Sequence, residues 1–176
     1  MYNYTMTKIT LYLDMDGVIC NFEKAYRAMW HEFTYDRERF REAVVNRRIF
    51  ETLEWMPNGE AFIDEVKRVA DAYNLNVEML TSTGSHRTEM KAAAIEQKTR
   101  WLCERGIPWK ANFVCAKPEK AQYAVLGKTI LIDDMAGCTE PFIEKGGIAF
   151  LHKDSDFRST IDRLDWCLDE LTKEFV

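Results

Sequence analysis

The sequence predicts an α/β fold: a doubly wound parallel sheet of about five strands, with a small helical cap inserted after the first strand. Three observations lead there. Short apolar runs, each bounded by polar or turn residues, recur along the chain with the length of buried strands. Segments of helical period lie between them, as the crossovers of a parallel sheet require. Residues 19–56 are far longer than one crossover needs, rich in aromatic and charged residues, and without a convincing strand.

The strands are read at "ITLYLD" (9–14), "NVEMLTS" (76–82), "NFVCA" (112–116), "TILID" (129–133) and "GIAFL" (147–151). A helix over 59–73 sets Phe62, Val66, Val69 and Tyr73 on one face, with Pro57 ahead of it. A second, over 88–106, ends at Gly106 as a C-cap. The last, over about 156–175, aligns Ile161, Leu164, Leu168, Leu171 and Phe175. Strand–helix alternation of this kind makes a Rossmann-like core from residues 1–18 and 57–176. Residues 19–56 form the cap, where Trp30, Phe33 and Trp55 belong to packing.

A chain of 176 residues can bury a sizeable core, and is most simply one domain with an insertion. The net charge of −5 weighs against a protein that lives on nucleic-acid backbone, so no stable nucleic-acid partner is expected. An odd cysteine count of 5, with no CxxC pair, points to thiols rather than a disulfide framework or a zinc site. No apolar run approaches membrane-spanning length, and "MYNYTMTKIT" lacks the apolar centre of a signal peptide. A soluble, cytoplasmic protein is expected. The histidines His31, His86 and His152 show no ligand spacing, and Arg87 reads as a solvated loop residue.

Ligands of a parallel α/β sheet sit beyond the carboxyl ends of its strands. That edge collects Asp14 and Asp16 after the first strand, Thr81 and Ser82 after the second, and Asp133 and Asp134 after the fourth. Four carboxylates brought together repel unless a divalent cation sits among them, and oxygen donors alone select magnesium over zinc. Such a site suits phosphoryl transfer. Asp14 can attack phosphorus, Asp16 can act as acid and base, Gly17 lets backbone approach a phosphate, and the hydroxyls of Thr81 and Ser82 can donate to its oxygens. A lysine would complete the charge balance.

"DMDGV", "MLTS", a downstream lysine and "LIDD" together resemble the four motifs of the haloacid dehalogenase-like phosphohydrolases, in order and over nearly the whole chain. Within that superfamily, "DMDGVICNFEKA", "FETLEWMPNGEAFIDEV", "KTRWL" and "LIDD" are similar to segments of the 5'(3')-deoxyribonucleotidases. The resemblance implies a magnesium-dependent phosphomonoesterase that works through an aspartyl-phosphate and takes a small phosphomonoester, a nucleotide. It implies Asp14 as nucleophile, Asp16 as acid/base, Thr81 and Ser82 as phosphate ligands, Asp133 and Asp134 as metal ligands with Asp14 and Asp16, and Phe22 in the base pocket. Two lysines compete for the phosphate: Lys98 in "KTRWL", and Lys117 in "CAKPEK" just after the third strand. The chain departs from the nucleotidases where Met135 replaces an arginine, and where Thr83 and Gly84 follow the hydroxyl pair in place of a proline. Both departures bear on substrate more than on chemistry.

Three other readings compete. "RWLCERGIPW" with its lysine-bearing loop resembles the phosphatase half of polynucleotide kinase-phosphatases. A dehalogenase needs only the first aspartate and no metal. A binding or regulatory protein would have kept the fold without turnover, yet it has no use for closely packed carboxylates.

Overall fold

A computed structural model describes residues 8–32, 34 and 36–173. The expectations placed on Phe33, Tyr35 and Phe175, and those on residues 1–7, lie outside the described residues. The sheet consists of β1 (Thr10–Leu13), β2 (Asn76–Ser82), β3 (Ala111–Val114), β4 (Thr129–Asp133) and β5 (Ile148–Leu151). All neighbours run parallel in the order β3-β2-β1-β4-β5. The chain winds outward from β1 to β3, then returns to continue from β4 to β5. The reversal falls between β1 and β4, where Leu13 pairs with Ile132, and the strand ends at such a reversal are where sheets of this kind bind ligands.

Side-chain alternation decides what each face of the sheet buries. Leu11, Leu13, Met79, Ile130 and Ile132 face the larger cluster. It is completed by α3 (Gly59–Tyr73), α4 (Thr88–Glu104) and α6 (Phe157–Lys173) through Phe62, Val66, Trp101, Ile161 and Leu164. Leu80, Val114 and Leu131 face the other way, against α5 (Ala136–Glu144) through Cys138 and Phe142. Burial on both faces explains why β4 reads as an unbroken apolar run ending in an aspartate. Helix α4 stops as expected. Gly106, at φ +65°, lets its own N–H reach Cys103 O at 3.1 Å and that of Ile107 reach Leu102 O at 3.0 Å.

Between β1 and α3 the chain builds α1 (Phe22–Trp30), α2 (Arg37–Arg41), a π-helical turn at Glu42–Asn46 and a 3₁₀ turn at Ile49–Glu51. The two ends of this insert are joined by hydrogen bonds from Asn21 N to Glu54 O (2.9 Å) and from Met56 N to Ile19 O (2.8 Å). Tyr26, Phe40, Val44, Ile49 and Phe50 belong to the same buried cluster as α3 and α4. The insert is therefore packed on the sheet domain. Helix α5, with Pro141 inside it, and 3₁₀ turns at Lys117–Tyr123 and Asp154–Asp156 complete the elements of the described residues. Among the described residues no helix is long and apolar enough to cross a membrane.

Candidate active site

β1 ends where Asp14 N still donates to Ile132 O at 3.0 Å, so the Asp14 carboxylate is fixed at the edge of the sheet. The loop after it folds tightly around Met15 O, which receives the N–H groups of Val18, Ile19 and Cys20 at 2.9 to 3.2 Å. Gly17, at φ +83°, lies under Asp134, and a Cβ there would stand 2.2 Å from Asp134 Oδ2. The left-handed backbone calls for glycine, and any side chain there would displace the Asp134 carboxylate. β4 delivers Asp133, fully buried, and Asp134, partly exposed. Asp14, Asp133 and Asp134 can each present one oxygen within 4.8 Å of the others.

Asp16 falls outside that group. Lys98 Nζ holds its Oδ2 at 2.5 Å, and the buried Cys20 thiol donates to its Oδ1 at 3.4 Å. The Lys98 ammonium also meets Thr81 Oγ1 at 2.8 Å and Ser82 O at 3.0 Å. An ammonium has three N–H donors, and all are engaged. Thr81 keeps its hydroxyl proton, because toward Lys98 it acts as acceptor. Ser82 donates to Cys115 O (3.2 Å) and accepts from Gly84 N (3.0 Å), which ties its hydroxyl into the loop after β2. Phe22 is half-buried in an aromatic group, with ring centroids 5.5 Å from Phe50, 5.5 Å from Tyr26 and 6.2 Å from Phe40. Phe40 rests on Gly84, where a Cβ would meet its ring at 2.7 Å.

No protein-family model and no curated protein matches the chain. Its shape does have counterparts. A haloacid dehalogenase-like family hydrolase from Xanthomonas campestris superposes with a TM-score of 0.63 at 11% identity, over 99% of this chain and 97% of that one. A hydrolase from Streptococcus pneumoniae TIGR4 gives 0.51 at 12% identity, over 89% and 100%. A dehalogenase with an intermediate complex gives 0.51 at 10% identity, over 81% and 84%. The chain has the haloacid dehalogenase-like fold.

Within this haloacid dehalogenase-like fold, the residue that sequence reasoning missed is Lys120. It is almost wholly buried, its Nζ hydrogen-bonds Asp133 Oδ2 at 2.6 Å, and it stands 2.9 Å from Asp14 Oδ1. The Asp14 contact is an ion pair without hydrogen-bond alignment, so Asp14 Oδ1 remains a buried acceptor with no hydrogen bond. Lys117 is exposed instead, its Nζ 2.6 Å from Met135 Sδ. In a 3₁₀ turn residues i and i+3 share a side, so Lys117 points to the same strand edge as Lys120 but one turn farther out. The signal for Lys120 was present in "CAKPEK", three residues after the lysine that was singled out.

The electrostatics follow from burial and crowding. Burial and then the charge of Asp14 raise the Asp133 carboxyl above the usual range, while Lys120 pulls it back. The same causes push Asp134 up to about 7. Burial alone would lower the Lys120 ammonium, but Asp14 and Asp133 overcome it and the pKa is raised. Three carboxylates thus face one ammonium, an imbalance that a divalent cation would cancel. The hard oxygen donors and the unbonded Asp14 Oδ1 fit such an ion.

Proposed function

We propose that the protein is a magnesium-dependent phosphomonoesterase that acts through an aspartyl-phosphate. The observation that carries this reading is the pairing of two sets of groups at one sheet edge. Asp14, Asp133 and Asp134 converge around the buried Lys120, and beside them Asp16 is gripped by Lys98 and Cys20. Asp14, Asp133 and Asp134 would hold magnesium, which when bound screens the phosphate's negative charge from the carboxylates.

In this reading an Asp14 carboxylate oxygen attacks phosphorus, and the bond from phosphorus to the ester oxygen breaks. Asp16 enters the cycle protonated and gives its proton to that departing oxygen, leaving the carboxylate that Lys98 pairs with. Asp16, now a carboxylate, takes a proton from water. The resulting hydroxide attacks the phosphorus of the aspartyl-phosphate, which returns Asp14 and releases inorganic phosphate. Lys98 holds Asp16 and Thr81 in place, while Lys120, with a donor left beyond Asp133 and Asp14, meets a phosphate oxygen. Thr81 donates its free proton to another. Ser82 positions the loop that carries Gly84.

We further propose that residues 19–56 act as a cap and that the substrate is a nucleoside monophosphate. The support for this is Phe22, half-buried near the loop after β1 and backed by the buried rings of Tyr26, Phe40 and Phe50, of which Phe40 rests on Gly84 in the loop after β2. Aromatic faces beside a phosphate site suit a base. The test is hydrolysis of a panel of deoxynucleotides, ribonucleotides, sugar phosphates and phosphorylated oligonucleotide ends, by the wild type and by Asp14→Asn. Magnesium-dependent turnover by the wild type, greatest on mononucleotides and abolished in Asp14→Asn, is expected. Full activity in a folded Asp14→Asn protein would overturn the covalent mechanism, and preference for another member of the panel would overturn the nucleotide assignment.

A further inference from the structure

We propose that Gln97 is a positioning residue for Lys98 and acts through Phe50. Its catalytic consequence rests on the phosphatase reading above. Gln97 and Lys98 are neighbours on α4, and both are fully buried, which is uncommon for either residue type. A buried amide must be satisfied, and the partners of Gln97 are both main-chain groups of the insert. Its Oε1 accepts from Phe50 N at 3.2 Å, and its Nε2 donates to Val44 O at 2.8 Å. These two groups stand on either side of the tight turn between the π-helical and 3₁₀ segments. Arg48 holds that turn in the left-handed region at φ 51°.

The consequence of this grip is the place of the Phe50 ring. It lies 4.5 Å from Lys98 Nζ and packs face to face with Phe22, at 5.5 Å between centroids. An ammonium over an aromatic face is attracted by the ring and shielded from water by it. Lys98 has its three N–H groups on Asp16, Thr81 and Ser82 O, and Phe50 covers a remaining approach. Gln97 fixes the main chain that carries the ring, the ring confines the ammonium, and the ammonium sets the Asp16 carboxylate. The ion pairs between α4 and the insert, Arg41 with Glu89, Arg48 with Glu96 and Arg100 with Glu51, join the same two elements from the surface and do not touch the ring.

The experiment compares wild type with Gln97→Met, which keeps length and apolar volume but loses both hydrogen bonds. It also includes Phe50→Leu, Phe50→Tyr and the Gln97→Met/Phe50→Leu double variant. The activity arm uses p-nitrophenyl phosphate, which carries no nucleobase. Gln97→Met and Phe50→Leu each lower kcat about tenfold with KM within about twofold, as expected when a reacting group is misplaced rather than lost. Phe50→Tyr keeps the ring and restores kcat. The double variant falls about tenfold, not a hundredfold, because both changes break one chain of contacts.

A second arm reads the Lys98 ammonium by proton–nitrogen NMR, where a sealed ammonium gives a slowly exchanging signal, assigned by its loss in Lys98→Arg. That signal is expected in wild type and Phe50→Tyr, and is expected to be lost in Gln97→Met and Phe50→Leu. If Gln97→Met lowers only the melting temperature, with kcat and the Lys98 signal unchanged, the proposal is overturned. Multiplicative losses in the double variant overturn it as well. A wild type without phosphatase activity refutes the function proposed above, and the NMR arm then decides the role of Gln97 alone.

Discussion

Lys120 Nζ stands 2.9 Å from Asp14 Oδ1, with both side chains almost sealed from water. The same ammonium reaches Asp133, so one cation holds together the ends of β1 and β4 across the point where the sheet reverses. Removing one partner of a buried ion pair is costly because the other is left uncompensated. Lys120→Met should therefore destabilise the metal-free protein by about 3 kcal/mol. Millimolar magnesium should restore much of that loss, since it supplies the missing positive charge to the same oxygens. Denaturant unfolding with and without magnesium measures both effects. A variant as stable as wild type without metal would show that the ammonium does not compensate these carboxylates.

Gly17 and Gly137 make a matched pair of tests. At Gly17 a methyl group meets Asp134 Oδ2 at 2.2 Å, and the backbone is left-handed at φ +83°. At Gly137, in the first turn of α5, a Cβ finds nothing within 4 Å. Gly17→Ala should cost about 1–3 kcal/mol and weaken magnesium binding by at least roughly tenfold, since Asp134 must move aside. Gly137→Ala should be neutral or stabilise by up to about 1 kcal/mol. Calorimetric titration with magnesium separates them, and equal affinities in the two variants would refute the placement of Asp134.

Trp101 seats the insert from beneath. Its Nε1 donates to Leu53 O at 2.8 Å, and its ring meets Trp55 edge-on at 5.0 Å. Leu53 O also accepts from Arg105 Nη2 at 2.8 Å, so it keeps a partner when the indole is removed. Trp101→Phe should consequently cost only about 1–2 kcal/mol, the sum of a lost hydrogen bond and a small void. Glu89→Gln, which breaks only an exposed pair with Arg41, should stay within about 0.5 kcal/mol of wild type. Unfolding midpoints that rank these two variants in the opposite order would contradict the packing described.

What the sequence made legible follows a physical division. The strands could be read because double-sided burial writes itself as short apolar runs, and the aspartates stood out as charge at the ends of such runs. Parallel order then brought Asp14 and Asp133 together without further information. Helix α4 was visible as a helix, yet its inward face carries Gln97 and Lys98 beside Met90 and Trp101, so an apolar stripe could not say which lysine is buried. Lys98 was reached through the "KTRWL" resemblance instead. Lys120 was missed because "CAKPEK" has no period: Pro118 and a 3₁₀ turn carry the chain inward, and only the turn separates the buried lysine from the exposed Lys117. Likewise α5 holds Pro141, which argues against a helix until the sheet supplies a surface for Phe142 and Cys138.

His152, assigned no role from sequence, follows β5 and is almost wholly buried. Its ring packs on Phe62 at 4.6 Å between centroids, and Nδ1 lies 3.2 Å from Thr160 Oγ1. Nε2 is buried without a partner. Burial lowers its pKa to about 4, against the opposing pull of Asp154. An unfolded histidine titrates near 6.5. Between these values the unfolded chain binds the proton more readily, so stability is full above about pH 6.5 and declines as pH falls toward 4. The loss attributable to this ring approaches about 3 kcal/mol at the acid end, counted at 1.36 kcal/mol for each unit of pKa difference. His152→Gln keeps a polar side chain that does not titrate there, and should flatten the curve between pH 6.5 and 4. Parallel acid limbs for wild type and variant in denaturant unfolding would assign the pH dependence to other groups.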